Sequence, residues 1–227
     1  MDFTYGQIAE MIDYALLNPA MSDTEIDQGC RLAVKYNIAA VCVKPYFLKR
    51  CAELLKGATV KPTTAIGFPH GCQTTATKTV ESREALRDGA LELDMVVNIG
   101  KVLSGDWKFV REDIAVVVQA AHEKGALAKV IFENCYLTND QKTALCRICA
   151  EVRADFAKTS TGFGTAGATK EDIELMRANL PGEIRLKAAG GIRTLDRLLE
   201  FRGLGVARIG TSATPTILDD CRQRLGI

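Results

Sequence analysis

The sequence alternates eight short apolar segments with longer segments that carry apolar residues at helical spacing. Residues 38–43 and 127–132 are nearly continuous apolar runs, which are typical of parallel strands buried on both faces. Eight strands that alternate with helices predict a TIM (β/α)8 barrel. An open doubly wound sheet is the alternative, but no predicted strand is followed by a complete G-x-G-x-x-G or Walker A motif.

The apolar runs and the helix caps between them define where each element is expected. The strands are predicted at residues 12–17, 38–43, 60–66, 91–97, 127–132, 154–157, 184–189 and 206–210. A short extra helix at residues 5–11 precedes the first strand, and Pro215 is expected at the first position of the last helix. A hydroxyl residue followed three positions later by an acidic or amide residue predicts a capping box. Such pairs are Ser22 and Glu25, Thr138 and Gln141, and Thr169 and Asp172.

Composition limits the kind of protein that this chain can be. Its 227 residues suit one barrel domain spanning residues 1–227, and 47% apolar residues suffice for a core. The net charge of +1 comes from interspersed acids and bases, which argues against a nucleic-acid partner. No apolar run approaches the ~20 residues of a membrane span, and the first residues lack the pattern of a signal peptide. The eight scattered cysteines fit reduced thiols, so we expect a cytoplasmic protein with no membrane partner.

The segment that follows the sixth apolar run has an unusual composition. Lys158 is followed by three hydroxyl residues and then by glycines at 162, 164 and 167. Because burial disfavours the ammonium form, we expect the pKa of Lys158 to fall, which would free its amine to attack a carbonyl. The glycines allow backbone N–H groups to approach an anion, which the start of the next helix also favours. The alternative is a lysine that extends from the strand end into water.

Charged residues interrupt strands that should be almost wholly apolar. Asp94, Lys129, Lys158 and Lys187 each belong to a different predicted strand. Because the catalytic residues of TIM barrels come from the ends of several strands, we expect these four to form one cluster. Lys158 is then the nucleophile, a cationic Lys187 lowers the Lys158 pKa and relays protons, and Asp94 donates and accepts protons. Lys129 has a secondary role beside Asp94, and separate structural ion pairs are the alternative.

Glycine-containing loops at three successive strand ends predict a phosphate site. TIM barrels often bind phosphate after strands seven and eight, beside a helix start. Cys42, at the end of the second strand, is expected to border the same pocket, with a simple buried cysteine as the alternative. The only histidines, His70 and His122, lie far apart in the sequence, so we expect no metal site. The expected substrate and phosphate contacts are Thr161, Gly162, Gly190, Gly191, Gly210 and Ser212.

Four motifs together resemble the deoxyribose-phosphate aldolase family, in an order that runs from about residue 12 to residue 212. The segment of residues 158–169, KTSTGFGTAGAT, is the most specific of them. The others are residues 92–98 (ELDMVVN), residues 67–71 (GFPHG) and residues 187–193 (KAAGGIR). The resemblance implies a class I aldolase on a TIM barrel that needs no metal or organic cofactor. Such enzymes reversibly cleave 2-deoxy-D-ribose 5-phosphate, a phosphorylated sugar, to D-glyceraldehyde 3-phosphate and acetaldehyde.

The resemblance also implies a role for individual residues and an assembly state. Lys158 matches the lysine that forms the Schiff base, Asp94 the proton-relay acid and Lys187 the second catalytic lysine. The phosphate-binding segments of the family match Gly190, Gly191, Gly210 and Ser212. The resemblance further leads us to expect a homo-oligomer, either a dimer or a tetramer.

The chain departs from the family pattern at a few positions that bear on the substrate. The first strand has Ala15 where the family has a threonine, and Asn134 replaces the threonine that follows Glu133. Ala213 replaces the second serine of the eighth-strand motif, and the sequence given lacks a terminal tyrosine found in some members. We therefore keep two alternatives: a related Schiff-base aldolase with a different donor or acceptor, and a non-catalytic sugar-phosphate binding barrel.

Overall fold

A computed structural model describes residues 2–227 and contains eight parallel strands that close into a barrel in sequence order. The first strand pairs with the second and with the eighth, so the sheet has no free edge. The predicted TIM barrel is therefore confirmed. The strands are β1 (Ile12–Leu16), β2 (Ala40–Val43), β3 (Lys61–Ile66), β4 (Glu92–Val96), β5 (Leu127–Ile131), β6 (Phe156–Lys158), β7 (Arg185–Ala189) and β8 (Arg208–Thr211).

Helices surround the barrel, and two short 3₁₀ turns, Pro45–Phe47 and Asn134–Tyr136, interrupt the connections. The predicted extra helix before β1 is confirmed, although it ends at Ala9 rather than at residue 11. Along residues 2–227, no helix combines the length and the apolarity that crossing a membrane would require. The helices are α1 (Tyr5–Ala9), α2 (Asp23–Tyr36), α3 (Leu48–Leu54), α4 (Thr75–Arg87), α5 (Ile99–Leu103), α6 (Trp107–Glu123), α7 (Asn139–Glu151), α8 (Lys170–Asn179), α9 (Leu195–Gly203) and α10 (Thr214–Leu225).

The helix caps agree with the sequence at two of the three predicted capping boxes. Those of α2 and α7 form with both reciprocal hydrogen bonds. At α8, Thr169 accepts from the Asp172 N–H, but the Asp172 carboxylate binds Lys142 Nζ at 2.6 Å. The capping box predicted at α8 is therefore only half present, because an ion pair takes the acidic side chain.

Two other helix predictions need correction. Pro215 is the second residue of α10 rather than the first, since Thr214 begins the helix. Helix α5 was not predicted from the sequence; it has five residues and is capped by the Asn98 side chain. A helix of little more than one turn is too short to show apolar periodicity.

The barrel interior is where the chain departs from an ordinary apolar core. The outward residues of the strands, such as Leu93 and Met95 of β4, pack in the main apolar core of the molecule. Asp94 lies between these two residues on the opposite face, which is the interior of the barrel. The strands thus carry an apolar layer outside and a layer of buried charges inside.

Candidate active site

A cavity of about 710 Å³ opens at the mouth of the barrel. It is lined by the ends of the strands and by the loops that follow them, which is where active sites of TIM barrels lie. Asp94 and Lys129 do not line this cavity but are fully buried in the barrel beside its floor. Every other predicted site residue lines it: Cys42, Lys158, Thr161, Gly162, Lys187, Gly190, Gly191, Gly210 and Ser212.

The four charged residues that the sequence places in separate strands meet at one carboxylate. Asp94 Oδ2 accepts hydrogen bonds from Lys158 Nζ at 2.6 Å and from Lys187 Nζ at 2.7 Å. Asp94 Oδ1 accepts from Lys129 Nζ at 2.6 Å. All four residues are at most 3% exposed. The predicted cluster therefore exists, and the alternative of separate ion pairs is wrong.

Strand register produces this convergence. Asp94 of β4 is the pairing partner of Lys129 of β5, and Lys158 of β6 is the pairing partner of Lys187 of β7. Residues paired across neighbouring strands point to the same face of the sheet. Because β4 to β7 are consecutive strands of a closed, curved sheet, the two pairs lie side by side on its inner wall, and their side chains reach one point in the interior.

Three further charged residues belong to the cluster, and none of them was among the site residues predicted from the sequence. Asp13 of β1 accepts a hydrogen bond from Lys187 Nζ and lies 3.5 Å from Lys129 Nζ. Glu92 of β4 binds Lys129 Nζ at 2.6 Å and Arg208 of β8 at 3.2 Å. Each is a charge inside a predicted strand, so the signal that identified Asp94 was present for all three. The buried part of the cluster holds four basic side chains and three carboxylates: Lys129, Lys158, Lys187 and Arg208 with Asp13, Glu92 and Asp94. Lys61, whose side chain is 42% exposed, adds an ion pair with Glu92 at 3.7 Å.

The pKa of Lys158 and that of Lys187 shift in directions that the sequence did not predict. Burial by itself disfavours the ammonium form of Lys158, but the charges of Asp94 and Asp13 and the hydrogen bond to Asp94 outweigh it and raise the Lys158 pKa. The prediction of a lowered Lys158 pKa is therefore wrong for the free protein. Burial, supported by the charges of Lys158 and Lys129, instead lowers the pKa of Lys187. Among the three lysines of the cluster, Lys187 is therefore the one that releases its proton most readily.

Two other groups in the site have shifted pKa values. Burial opposes ionisation of Asp94, but the charges of Lys129, Lys158 and Lys187 hold its pKa well below the ordinary value. Burial raises the pKa of the Cys42 thiol to about 12. Asp94 is therefore a carboxylate and Cys42 a neutral thiol at physiological pH.

The predicted phosphate loops pack closely because they lack side chains at two points. A Cβ at Gly190 would lie 2.7 Å from Gly167 Cα, and the backbone of Gly190 has a positive φ of 85°. A Cβ at Gly210 would lie 3.0 Å from Ala189 Cβ and 3.3 Å from Lys187 Cε. Gly190 and Gly167 let the loops after β7 and β6 approach each other, and Gly210 lets β8 lie close to Lys187. Arg193, an exposed guanidinium, lines the same cavity.

The three internal departures from the family pattern differ in their distance from the cavity. Ala15 lines it. Asn134 is buried, with its amide nitrogen 3.3 Å from Met176 Sδ, and Ala213 donates its N–H to Thr211 Oγ1 at 3.0 Å. Neither Asn134 nor Ala213 belongs to the cavity wall. Of these three departures, only Ala15 is therefore placed to affect substrate preference directly.

The histidines lie outside the charge cluster. His122 is exposed and lies 2.9 Å from Asp155, whereas His70 lines a second cavity of about 270 Å³ beside the first. Between residues 2 and 227, no group of three or more His, Cys, Asp or Glu side chains is placed to hold a metal ion.

Comparison with known proteins identifies the class to which this barrel belongs. The profile of the DeoC/LacD family aldolases matches residues 8–209, which is most of the chain. The chain belongs to this family. The family that the sequence motifs predicted is therefore confirmed.

Individual relatives are similar over nearly their whole length. The deoxyribose-phosphate aldolase of Rhodopirellula baltica is 49% identical over 226 residues, which cover 100% of this chain and 94% of the relative. That of Thermococcus gammatolerans is 49% identical and covers 95% of this chain and 97% of its own. Among solved structures, the tetrameric deoxyribose phosphate aldolase from Aeropyrum pernix has a TM-score of 0.90 at 28% identity, covering 99% and 94% of the two chains.

Proposed function

We propose that this chain is a class I aldolase that reversibly cleaves 2-deoxy-D-ribose 5-phosphate to D-glyceraldehyde 3-phosphate and acetaldehyde. The names of the relatives support the substrate. The observation that carries the chemistry is Asp94 Oδ2, which lies within hydrogen-bond distance of both Lys158 and Lys187 below an open cavity. One oxygen atom can therefore pass a proton between two amines.

The first step requires a neutral amine on Lys158. In the free protein Lys158 holds its proton and Lys187 has the lowered pKa. Transfer of the Lys158 proton through Asp94 Oδ2 to Lys187 frees the Lys158 amine, and the pair keeps its total charge. The amine then attacks C1 of the open-chain sugar. The carbinolamine takes up one proton from Lys187 through Asp94 and loses one water, which gives the protonated Schiff base.

The second step breaks the bond between C2 and C3 of the sugar. The C3 hydroxyl gives up its proton as the bond electrons move toward the iminium, which becomes a neutral enamine on Lys158. D-glyceraldehyde 3-phosphate leaves with C3 as its aldehyde carbon. A proton returned to the enamine carbon restores the iminium, and water then releases acetaldehyde and the free lysine. Asp94 and Lys187 are the groups that we assign to these proton transfers.

Lys129 and the cavity wall have supporting roles in this proposal. Lys129 binds the second oxygen of Asp94 and holds that carboxylate ionised and oriented. Around the phosphate we place the backbone N–H groups of the loops after β7 and β8, with Arg193 as a cation. Cys42 forms part of the wall. The proposed substrate and phosphate contacts are Thr161, Gly162, Gly190, Gly191, Gly210 and Ser212.

Borohydride reduction in the presence of acetaldehyde tests the proposal. A two-carbon adduct found on Lys158 by mass spectrometry of the digested protein would identify the nucleophile and the donor together. Reduction of the Lys158→Leu variant is the control and should leave no adduct. An adduct on another lysine, or activity of Lys158→Leu equal to that of the parent, would contradict the assignment.

A related Schiff-base aldolase with another acceptor is the second candidate, and Ala15 in the cavity wall is the observation that favours it. Steady-state comparison of 2-deoxyribose 5-phosphate with its non-phosphorylated analogue distinguishes the two. Equal kcat/KM for both sugars would argue against the phosphate site. A barrel that merely binds sugar phosphates is less favoured, because binding does not need an ionised carboxylate shared between two lysines.

We also propose that residues 1–227 form one domain, that the chain assembles into a homo-oligomer and that it acts in the cytoplasm. The closed barrel and the family match support one domain. The reported tetramer of the Aeropyrum pernix relative supports assembly into a dimer or tetramer. The eight free cysteines support a reducing compartment. Sedimentation velocity at several concentrations would test the assembly state.

A further inference from the structure

The loop after β6 is held by the side chain of Glu133, which follows β5. The Thr161 N–H donates to Glu133 Oε1 at 3.1 Å, and the Thr161 hydroxyl donates to Oε2 of the same carboxylate. The Phe163 N–H in turn donates to Thr161 Oγ1 at 3.0 Å. Glu133 is only 2% exposed, and both of its carboxylate oxygens accept hydrogen bonds from Thr161.

The backbone at Glu133 and at Gly164 meets unusual requirements of this contact. Glu133 has a φ of 58°, in the left-handed region that residues other than glycine rarely adopt. A Cβ at Gly164 would lie 2.8 Å from Cys135 Sγ and 3.0 Å from Glu133 Cδ, so the loop closes on the carboxylate only because residue 164 lacks a side chain. An unfavourable conformation that persists next to a site is a sign of function rather than of packing alone.

The carboxylate also decides the direction of the Thr161 hydrogen bonds. A hydroxyl group has one hydrogen and two lone pairs, whereas a carboxylate can only accept. The hydroxyl hydrogen is therefore committed to Glu133, and one lone pair accepts from the Phe163 N–H. One acceptor position remains on Thr161, which lines the 710 Å³ cavity. Thr161 can accept a hydrogen bond from a substrate hydroxyl but cannot donate one.

We propose that Glu133 is a positioning residue that orients the β6 loop and fixes the Thr161 hydroxyl as an acceptor for a hydroxyl group of the substrate. This inference rests on the proposed function, because it needs a hydroxylated sugar in the cavity. Glu133 acts only through Thr161 and does not touch the substrate. Its contribution is to select substrates that present a hydrogen-bond donor at this position.

Glu133→Gln tests the proposal because it keeps the size of the side chain and exchanges one oxygen for an NH₂ donor. The Thr161 N–H still needs the remaining oxygen, so the amide NH₂ faces Thr161 Oγ1. The threonine hydrogen then turns away from residue 133, and the hydroxyl presents a donor instead of an acceptor. We expect kcat/KM for 2-deoxyribose 5-phosphate to fall roughly 10-fold.

A double-mutant cycle shows whether the effect passes through Thr161. Thr161→Val should lose about as much kcat/KM as Glu133→Gln, and the two changes combined should lose little more than either alone. Thr161→Ser keeps the hydroxyl, so combining it with Glu133→Gln should preserve the roughly 10-fold loss. Glu151→Gln, which makes the same chemical change on the exposed surface of α7, is the matched control and should behave as the parent does.

Borohydride trapping with acetaldehyde separates this inference from the proposed function. Acetaldehyde has no hydroxyl, so Glu133→Gln and the parent should trap it on Lys158 at the same rate. A parent that traps nothing would refute the aldolase proposal itself. A Glu133→Gln protein that loses trapping in parallel with turnover would instead show a general structural role and would overturn the positioning role.

Two other results would also overturn the inference. One is an unchanged kcat/KM in Glu133→Gln, and the other is a full additional loss when Glu133→Gln is combined with Thr161→Val. If Glu133→Gln fails to fold, the single changes at Thr161 still test the acceptor that Glu133 is proposed to fix. Activity of Thr161→Val equal to that of Thr161→Ser would then exclude a hydroxyl acceptor at this position.

Discussion

Two buried groups of lysines and carboxylates look alike in burial but differ in composition. In the barrel interior, four basic side chains share three carboxylates beside an open cavity. Between α4 and α6, Lys78 Nζ binds Asp113 Oδ2 at 2.5 Å and the carbonyl oxygen of Val96 at 2.9 Å. The other oxygen of Asp113 accepts from Thr75 Oγ1 at 2.8 Å. Lys78 and Asp113 form a balanced pair that lines neither cavity.

The comparison of Lys78 with Lys187 shows that a shifted pKa does not by itself make a lysine reactive. Burial lowers the pKa of Lys78 despite the charge of Asp113, just as burial lowers the pKa of Lys187. Lys78, however, is fully buried and has no room for a substrate beside it. What distinguishes the interior cluster is its surplus cation and the cavity above it, so that one proton can leave and a carbonyl can approach. A perturbed lysine alone would not have identified the site.

Replacement of Lys158 should have the largest effect on activity and a small one on stability. In Lys158→Leu, three basic groups remain for three carboxylates, so no carboxylate is left without a partner. We expect kcat to fall by at least ~10³-fold, since the covalent path is lost. Steady-state kinetics and a thermal melt of the same sample measure both quantities. A large loss of thermal stability would show that the lysine is structural.

Replacement of Lys78 should show the opposite pattern. In Lys78→Met the Asp113 carboxylate stays buried without its cation, and we expect the free energy of unfolding to fall by about 3–5 kcal/mol. The kcat of the folded fraction should stay near that of the parent. Urea titration gives the stability, and the combined variant Lys78→Met with Asp113→Leu should recover most of the loss. No recovery in the combined variant would mean that the lysine methylenes, not the charge pair, support the fold.

Replacement of Lys187 should shift the pH dependence of trapping on Lys158. The lowered Lys187 pKa lets the cluster release its surplus proton below the ordinary lysine value of 10.5. Lys187→Met leaves three cations for three carboxylates, so Lys158 should keep its proton to a higher pH. We expect the rate of borohydride trapping at neutral pH to fall ~10-fold for each unit by which its midpoint rises. A midpoint that does not move would contradict the assigned proton release.

The lowered pKa of Lys187 also predicts how the free energy of unfolding changes with pH. The folded protein binds the Lys187 proton less tightly than the unfolded chain. Between the lowered value and the ordinary value of 10.5, the unfolded chain therefore holds more protons, and the free energy of unfolding contributed by this site rises with pH. Lys187→Met should remove that slope from urea titrations made at increasing pH. An unchanged slope would indicate another titrating group.

Replacement of Lys142 should have the smallest effect and test the role of burial in the comparison. Its ion pair with Asp172 has the same 2.6 Å distance as that of Lys158 with Asp94, but the two side chains are 10% and 11% exposed. Water can partly solvate Asp172 when the cation is lost, so Lys142→Met should cost only ~1 kcal/mol. Urea titration beside Lys78→Met provides the measurement. An equal cost for both variants would show that slight exposure does not matter here.

Much of the fold could be predicted from residue order because each strand is buried on both faces. The continuous apolar runs at β2 and β5, and the caps at Ser22 and Thr138, indicated where most of these elements lie. The short α5 was missed because it has too few residues to show a period. Asp172 was misjudged because its partner, Lys142, is distant in sequence.

The sequence by itself indicated four of the seven buried charged residues of the barrel interior. A charge in a strand that is otherwise apolar costs so much that Asp94, Lys129, Lys158 and Lys187 could be recognised without a structure. The same rule applies to Asp13, Glu92 and Arg208, which were not among the predicted site residues. The departure at Ala15 was also visible in the sequence, and the structure places it in the cavity wall.

Only the tertiary structure decided which oxygen meets which amine and in which direction each pKa moves. Desolvation acts on Lys158 and Lys187 alike, and the difference between them comes from distances to Asp94, Asp13 and the other lysines. Those distances depend on barrel closure and on strand register, which bring residues from six strands to one interior. Coulomb energies vary with distances that a linear order does not contain, so the sequence could name the charged groups but not their protonation.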